Sequence, residues 1–241
     1  TVLQAKALGD GPQAAYAPVP AKEVADCIRA EKPAVVFVPH VETAAGIVLP
    51  DDYLKAIGDA VNEINGLFVL DCVASGERAI TRMEETTSSS FAGDLRKWSQ
   101  IMQAYESGNH AYHATMPTDT LVILRDAMLE TLKTGPDLLY KRQEELGKQV
   151  RELFDSAGFK SVAAPGFESP SVVVLHTDDI NIHNTNLFRE QGLQTAAGVP
   201  LMCGEPEGFR TFRMGLFGLE KLNNVDRTVE NLRVALEAIQ G

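Results

Sequence analysis

The chain has 241 residues, of which 44% are hydrophobic, so it can bury a sizeable core as one large or two modest domains. Its formal net charge of −11 argues against nucleic acid or an anionic membrane as a partner, because no basic run offsets the acidic residues. Small molecules are therefore the expected partners.

Cysteine usage and hydropathy predict a soluble, cytoplasmic protein. The 3 cysteines are widely spaced and form no Cys-x-x-Cys pair, which indicates neither a disulfide framework nor a zinc site. The first residues lack the charged region and apolar core of a signal peptide, and no apolar run approaches membrane-spanning length. No cluster of His, Cys or acidic residues has metal-ligand spacing, so no metal is predicted.

The first half of the chain contains a predicted strand, helix and strand. Residues 1–20 are rich in glycine and proline and are predicted to form a loop before a helix over 21–30. Apolar runs at 34–38 and 67–70 predict two strands, the second buried on both faces, and residues 51–64 between them have helical periodicity. Such a unit is right-handed with parallel strands, so the segments that follow the two strands should face one crevice.

The second half changes character after residue 135. Helical patterns cover 94–105, a segment starting near 118, and 136–158. The second of these predicts one buried apolar face, consisting of Leu121, Leu124, Met128 and Leu132. Strands are predicted at 171–176, 193–196 and 209–214, with helices at 184–191 and 224–239. We therefore predict a large domain over 1–135 and a small α+β domain over 136–241.

A carboxylate stands where the second strand ends. In open α/β sheets, ligands bind outside the carboxyl ends of the strands, so Asp71 is placed where a bound cationic group could meet it. An aspartate that caps the next turn is the alternative, and this stretch alone does not choose between them.

Four motifs in order resemble those of one enzyme family. They are VPHVETAAG over 38–46, LDCVAS over 70–75, YHAT over 112–115 and FRMGL over 212–216. In this order they resemble the motifs of class-V pyridoxal-phosphate (PLP) aminotransferases, in particular the alanine:glyoxylate and serine:pyruvate group. The resemblance implies fold type I, an α/β fold in which a mainly parallel sheet forms the large domain, here partial, beside a small C-terminal domain.

The resemblance also implies roles around the cofactor ring. Asp71 would pair with the protonated pyridine nitrogen and keep the ring electron-withdrawing. Val73 would pack against one ring face, although an ordinary core valine explains it nearly as well. The Thr43 hydroxyl would reach the phenolic oxygen. His40 follows a strand end and could contact the cofactor region, with a turn histidine as the alternative.

Two further roles follow for the phosphate and the substrate. Tyr112 and Thr115 resemble residues that reach the cofactor phosphate of the other subunit, which implies a homodimer. A loop aromatic packed beside Pro117 is the alternative. Arg213 resembles the arginine that binds the substrate α-carboxylate, and a structural salt bridge is its alternative.

The largest departure from the family is the absence of the lysine that holds the cofactor. The family places it shortly after the aspartate strand, but here Gly76 is followed directly by Glu77. The Gly-rich phosphate turn and the stacking aromatic of the family's N-terminal part are also missing. We therefore predict a gap in the numbered chain between residues 76 and 77 of a longer protein, whose phosphate site is poorly ordered without cofactor. A truncated, inactive relative is the rival explanation.

The predicted function is transamination. An amino donor such as alanine or serine would give its nitrogen to PLP, and a 2-oxo acid such as glyoxylate or pyruvate would take it back. One alternative is a cysteine desulfurase or another lyase of the same fold. The other is a non-catalytic interaction protein that lacks the lysine.

Overall fold

The computed structural model describes residues 1–71 and 77–241, which form two compact units. The first unit consists of Thr1–Asp71 and Thr134–Gly241, and the second of Cys72–Lys133. The predicted domain boundary after residue 135 stays a prediction.

Short strands and longer helices alternate along the chain. The strands are β1 (Lys6–Ala7), β2 (Tyr16–Ala17), β3 (Val35–Pro39), β4 (Val41–Glu42), β5 (Ile47–Val48), β6 (Leu67–Asp71), β7 (Val172–His176), β8 (Ala196–Ala197) and β9 (Thr211–Gly215). The helices are α1 (Ala21–Glu31), α2 (Asp51–Glu63), α3 (Glu77–Glu85), α4 (Leu95–Glu106), α5 (Thr118–Thr134), α6 (Pro136–Ser156), α7 (Ile180–His183), α8 (Asn186–Glu190), α9 (Leu219–Leu222) and α10 (Val225–Gln240).

The predicted strand-helix-strand unit is present. β3 and β6 pair in parallel, with Val35 opposite Leu67 and Pro39 opposite Asp71. Helix α2 connects β5 to β6 and buries Tyr53, Ile57 and neighbouring residues against α1 and the first core. The parallel register brings the carboxyl ends of β3 and β6 to the same edge, as the sequence predicted.

The predicted burial of the second strand on both faces is wrong. No residue of β6 is fully buried, and on β3 the side chains of Val35 and Phe37 are 53% and 64% exposed. The residues of one row, including Val36 and Phe68, pack on the first core. Within the described residues this sheet has only two strands, so nothing covers the row that contains Phe37.

Two hairpins were not predicted. β1 pairs with β2 inside the region expected to be a loop, and β4 pairs with β5 directly after β3. Strands of two residues are too short to show an alternating pattern, so the sequence gives no signal for them. The second hairpin carries Thr43 in its turn, at the carboxyl edge of β3.

A three-stranded antiparallel sheet, in the order β7-β9-β8, separates two cores. Every residue of β7 is buried, because Val172 and Val174 belong to the first core and Val173 and Leu175 to the second. Helices α6 and α10 cover the second core. Because side chains alternate between the two faces of a strand, each face of this sheet packs on a different core.

The small elements of this unit differ from prediction. The strand expected at 193–196 is β8, which begins three residues later, and the helix expected at 184–191 is the shorter α8, preceded by α7. The long helix α6 begins as predicted, because Gly135 takes a φ of 97° and Pro136 fills the first helical position. Its residues Leu139, Leu146 and Val150 are buried.

The second unit contains α3, α4 and α5. Helix α4 begins where Asp94 accepts a hydrogen bond from the backbone N–H of Lys97. The predicted burial of the α5 stripe is wrong: Leu124, Met128 and Leu132 are 55%, 57% and 61% exposed, and Leu121 is 39% exposed. Helical periodicity identifies an apolar stripe, but it does not identify what covers the stripe.

His176 is a buried ionisable residue in the sheet. Its Nε2 lies 3.1 Å from the carbonyl oxygen of Ala14, so Nε2 carries the hydrogen and donates it. Its Nδ1 has no hydrogen-bond partner within the described residues. Burial holds the pKa of His176 below its ordinary value, and Lys160 lowers the pKa further while Asp178 raises it. The imidazole is therefore neutral near pH 7.

We expect replacement of Gly46 by alanine to destabilise the first unit. Gly46 has a φ of 69°, and a Cβ there would lie 2.9 Å from the carbonyl oxygen of Val172 and 3.0 Å from Val174. Backbone strain and overpacking together predict a loss of about 2 to 4 kcal/mol in the free energy of unfolding. Gly166→Ala is the matched control, because Gly166 has a φ of 88° with nothing within 4 Å. Equal losses in urea titrations of the two variants would contradict the packing argument.

We also expect His176 to make stability depend on pH. Since burial lowers the pKa in the folded state, the unfolded chain binds a proton first, and stability falls as the pH drops through the ordinary histidine pKa of about 6.5. One proton gives a slope of at most about 1.4 kcal/mol per pH unit. His176→Gln keeps a donor for Ala14 but cannot titrate. The variant should lack this part of the slope in urea titrations from pH 7.5 to 5, and identical slopes would refute the assignment.

Candidate functional site

Asp71 is the last residue of β6 and lies opposite Pro39. Its side chain is exposed, and within the described residues nothing forms a hydrogen bond or an ion pair with it. A carboxylate without a partner at the carboxyl end of a parallel strand is available to a ligand. Val73, the predicted ring contact, lies outside the described residues, and so does the predicted gap before Glu77.

His40 and Thr43 lie at the same edge as Asp71. His40 follows β3 directly, and its carbonyl oxygen accepts a hydrogen bond of 3.1 Å from the N–H of Leu49. Thr43 stands in the β4-β5 turn with an exposed side chain. That turn is fixed by the Glu42 carboxylate, which accepts a hydrogen bond of 2.9 Å from the N–H of Ala44. The hydroxyl of Thr43 is thus presented to solvent by an ordered turn.

The β4-β5 hairpin is attached to the three-stranded sheet. The carbonyl oxygen of Gly46 accepts a hydrogen bond of 2.8 Å from the N–H of Ser169, and Ile47 forms a bridge with Glu168. The missing side chain of Gly46 lets this turn approach Val172 and Val174 of β7. The turn that carries Thr43 therefore rests on the strand that pairs with β9.

Arg213 is the central residue of β9 and lies opposite Val174. Its side chain is half-buried and shares the face of Val174, which belongs to the first core. Its Nε donates a hydrogen bond of 2.9 Å to the carbonyl oxygen of Ala197. Within the described residues, no carboxylate pairs with Arg213, and its two terminal nitrogens have no partner.

Within the described residues, the alternative of a structural salt bridge finds no carboxylate that pairs with Arg213. A half-buried arginine that leaves two nitrogens without protein partners is available for an anionic ligand. Sequence reasoning found the residue but could not find this property. Whether Asp71 and Arg213 open onto one pocket stays a prediction.

Tyr112 and Thr115 belong to the second unit. The Tyr112 hydroxyl lies 3.3 Å from the Thr115 hydroxyl, so the two are hydrogen-bonded. Tyr112 is 78% exposed, which contradicts the alternative of a ring packed beside Pro117. Two adjacent, exposed hydroxyls can donate hydrogen bonds to one anionic group.

Cys203 lies in a loop closed by Glu205. The Glu205 carboxylate accepts hydrogen bonds from the backbone N–H groups of Leu201, Met202 and Cys203, which hold its pKa below the usual range despite partial desolvation. Burial and the charge of Glu205 raise the pKa of the Cys203 thiol. A thiol held in its neutral form is a poor nucleophile, which does not fit a persulfide-forming cysteine.

A surface cavity of about 540 Å³ lies elsewhere in the first unit. It is lined by α6, α9 and the start of α10, including Arg142 and Asn223, and by none of the predicted site residues that the structure describes. No group of three or more His, Cys or acidic residues converges as metal ligands would in the part of the chain that the structure describes. None of its helices is both long and apolar enough to cross a lipid bilayer.

Comparisons with known proteins agree with the motifs. No family model matches the chain. It is 22% identical over 260 residues to an alanine–glyoxylate aminotransferase of Oryctolagus cuniculus, covering 90% of this chain and 64% of the relative. It is 26% identical over 271 residues to a 2-aminoethylphosphonate–pyruvate transaminase of Burkholderia ambifaria, covering 98% of this chain and 70% of the relative. The chain therefore spans about two thirds of the length of these relatives.

The structural comparison defines the fold. The crystal structure of an alanine–glyoxylate aminotransferase from Nostoc sp. matches with a TM-score of 0.74 at 17% identity, over 91% of this chain and 65% of that protein. The chain has the fold of fold-type I PLP-dependent transferases, as predicted. Within that class, the predicted resemblance to the alanine–glyoxylate aminotransferase group is confirmed.

The alignments also bear on the predicted gap in the chain. They extend over 260 and 271 positions, although this chain has only 241 residues. Both relatives therefore contain internal residues that have no counterpart here.

We expect Arg213→Ala to have little effect on stability. The substitution removes one hydrogen bond to a carbonyl oxygen and no ion pair, which predicts a loss of about 0.5 to 1.5 kcal/mol in the free energy of unfolding. Arg151→Ala is a useful contrast, since Arg151 is likewise half-buried but donates to two carbonyl oxygens, those of Ser169 and Gly147. A loss above about 3 kcal/mol for Arg213→Ala in urea titrations would indicate a structural ion pair instead.

Proposed function

We propose that this chain is the greater part of a class-V, PLP-dependent aminotransferase. It would move an amino group from a small amino acid such as alanine or serine to a 2-oxo acid such as glyoxylate or pyruvate. The observation that carries the proposal is a pair of opposite charges that the described residues leave unpaired, Asp71 and Arg213. The names of the relatives and the fold support the same reaction class.

The chemistry of the residues fits this cofactor. When bound, PLP supplies an electron sink that stabilises negative charge at the substrate α-carbon. The Asp71 carboxylate would hold the pyridine nitrogen protonated, because a charge-assisted hydrogen bond favours the charged ring. The Thr43 hydroxyl would donate to the phenolic oxygen. Val73 would pack on the ring and His40 would border it, while Arg213 would bind the substrate carboxylate through its free terminal nitrogens.

The phosphate would be bound across a dimer interface. Tyr112 and Thr115 would donate hydrogen bonds to the cofactor phosphate of the partner subunit, and this arrangement requires two-fold symmetry. Their exposure supports the proposal, since a residue that serves another subunit need not be buried in its own. The exposed apolar stripe of α5 supports it too, because a dimer interface would bury such a stripe. We place the protein in the cytoplasm.

The lysine segment belongs, in this proposal, between residues 76 and 77 of the longer protein. There the lysine would move the proton between the substrate α-carbon and the cofactor carbon. Two observations support a missing segment: the alignments are longer than the chain, and the Phe37 row of the β3-β6 sheet lacks cover. An inactive relative that kept the fold as an interaction protein is the second candidate, because none of the lysines present lies in the family's context.

The surroundings of the Cys203 thiol disfavour a desulfurase activity. The loop around Cys203 is closed by Glu205, and its raised thiol pKa opposes thiolate formation. Incubation with alanine plus glyoxylate, compared with incubation with cysteine, separates the two activities by their products. Sulfide release without a new amino acid would reverse this ranking.

Binding of pyridoxamine 5′-phosphate tests the proposal without the lysine, because this amine form of the cofactor makes no bond to the protein. We expect the 241-residue chain to bind it, and Asp71→Asn to weaken binding about 10- to 100-fold through loss of a charge-assisted hydrogen bond. Asp10→Asn removes another exposed acid, to which the proposal gives no role, and should bind like the wild type. Cofactor fluorescence titrations give the dissociation constants. Failure of the wild type to bind would favour the non-catalytic candidate, and equal binding by Asp71→Asn would refute the role of Asp71.

A further inference from the structure

His113 sits between two aromatic residues of a distant segment. Its ring centroid lies 4.3 Å from that of Phe91 in a tilted stack and 5.2 Å from that of Trp98 in an edge contact. Its Nε2 lies 3.0 Å from the carbonyl oxygen of Phe91. Because a carbonyl oxygen only accepts, Nε2 carries the hydrogen and donates it. Trp98 in turn donates to the carbonyl oxygen of Ala92 over 2.9 Å, which fixes the receiving segment.

This contact anchors the loop that carries Tyr112 and Thr115. Residues 107–117 form no helix or strand. Within the described residues, the only hydrogen bond from residues 110–116 to a distant part of the chain is the one from His113 to Phe91. His113 lies between Tyr112 and Thr115 in sequence, and it is half-buried against Phe91 and Trp98 while Tyr112 stays 78% exposed.

We infer that His113 is a positioning residue that fixes the Tyr112 and Thr115 hydroxyls for one phosphoryl group. This inference rests on the proposed function, which assigns those hydroxyls to the cofactor phosphate. Two hydroxyls 3.3 Å apart can bind the same phosphoryl oxygens, and they do so at a lower entropic cost when the backbone of their loop is held in place. Anchoring the loop before the ligand arrives removes an ordering cost from binding, as preorganisation does in general.

The alternative is that His113 only fills space in an aromatic cluster. Three substitutions of His113 distinguish the two explanations. His113→Ala removes the ring contacts and the donor, His113→Phe keeps the ring contacts alone, and His113→Gln keeps a donor without the ring. His110→Ala is the matched control, because His110 is an exposed histidine of the same loop that has no partner among the described residues.

Amide hydrogen exchange measures whether the anchor holds the loop. In the 241-residue chain, we expect His113→Ala to raise exchange rates in the peptide covering 110–116 by about 10-fold or more, since the loop loses its distant contact. His113→Phe and His113→Gln should fall between His113→Ala and the wild type, and His110→Ala should match the wild type. Unchanged exchange in His113→Ala would overturn the inference.

The affinity for pyridoxamine 5′-phosphate measures whether fixing the loop strengthens ligand binding. We expect His113→Ala to weaken binding about 10-fold, and His113→Phe to restore part of the loss, while the melting temperatures stay within a few degrees of one another. Trp98 is the single tryptophan of the chain, so its fluorescence reports the aromatic cluster in each variant. Faster exchange in His113→Ala with wild-type affinity would make His113 a space-filling residue and overturn the inference.

A double variant separates this inference from the proposed function. Tyr112→Phe with Thr115→Val removes both hydroxyls and leaves His113 in place. It should lose affinity for pyridoxamine 5′-phosphate and keep wild-type exchange rates in 110–116. If the double variant binds as the wild type does, or the wild type does not bind, the phosphate assignment fails and His113 is left with a structural role. If the double variant loses affinity and His113→Ala does not, only the inference fails.

Discussion

The candidate site depends on the parallel register of β3 and β6. Because Pro39 lies opposite Asp71, the segment that leaves β3 and the carboxylate that ends β6 stand at one edge of the sheet. An antiparallel pairing would have placed them at opposite ends. The parallel arrangement requires a crossover, and α2 provides it by burying its apolar stripe against α1 and the first core. Packing of that helix thus fixes Asp71 and His40 at the same edge of the sheet.

The second constraint is the close approach of the β4-β5 hairpin to β7. Gly46 is the point of contact, since a side chain there would meet the backbone of Val172. β7 lies between two cores, so it cannot shift without disturbing both. Its neighbour β9 carries Arg213. Thr43, which is proposed to bind the cofactor ring, and Arg213, which is proposed to bind the substrate, are therefore both attached to the β7-β9 strand pair.

Much of this fold could be predicted from the sequence, and the failures have physical causes. The long helices α2, α6 and α10 repeat an apolar stripe over several turns, and each begins near its predicted residue. The hairpins at β1-β2 and β4-β5 escaped prediction because two residues show no periodicity. The predicted burial of β6 and of the α5 stripe was wrong for another reason. An apolar pattern indicates a surface that is buried by something, but it does not identify which part of the protein buries it.

Arg213 has no carboxylate partner among the described residues, although the chain has an excess of acids. The chain has 33 acidic residues and 22 lysines and arginines, so carboxylates outnumber the cations with which they could pair. Arg29, Arg227 and Arg233 each pair with one. Arg213 is half-buried and yet, within the described ranges, has only a carbonyl oxygen as its partner. Removing part of a guanidinium from water without a counter-charge costs free energy, which an incoming carboxylate would recover. Arg151 likewise lacks a carboxylate within the described ranges, but it donates to two carbonyl oxygens, those of Ser169 and Gly147, whereas Arg213 donates to one. The terminal nitrogens of Arg213 are therefore the groups that a carboxylate ligand would meet.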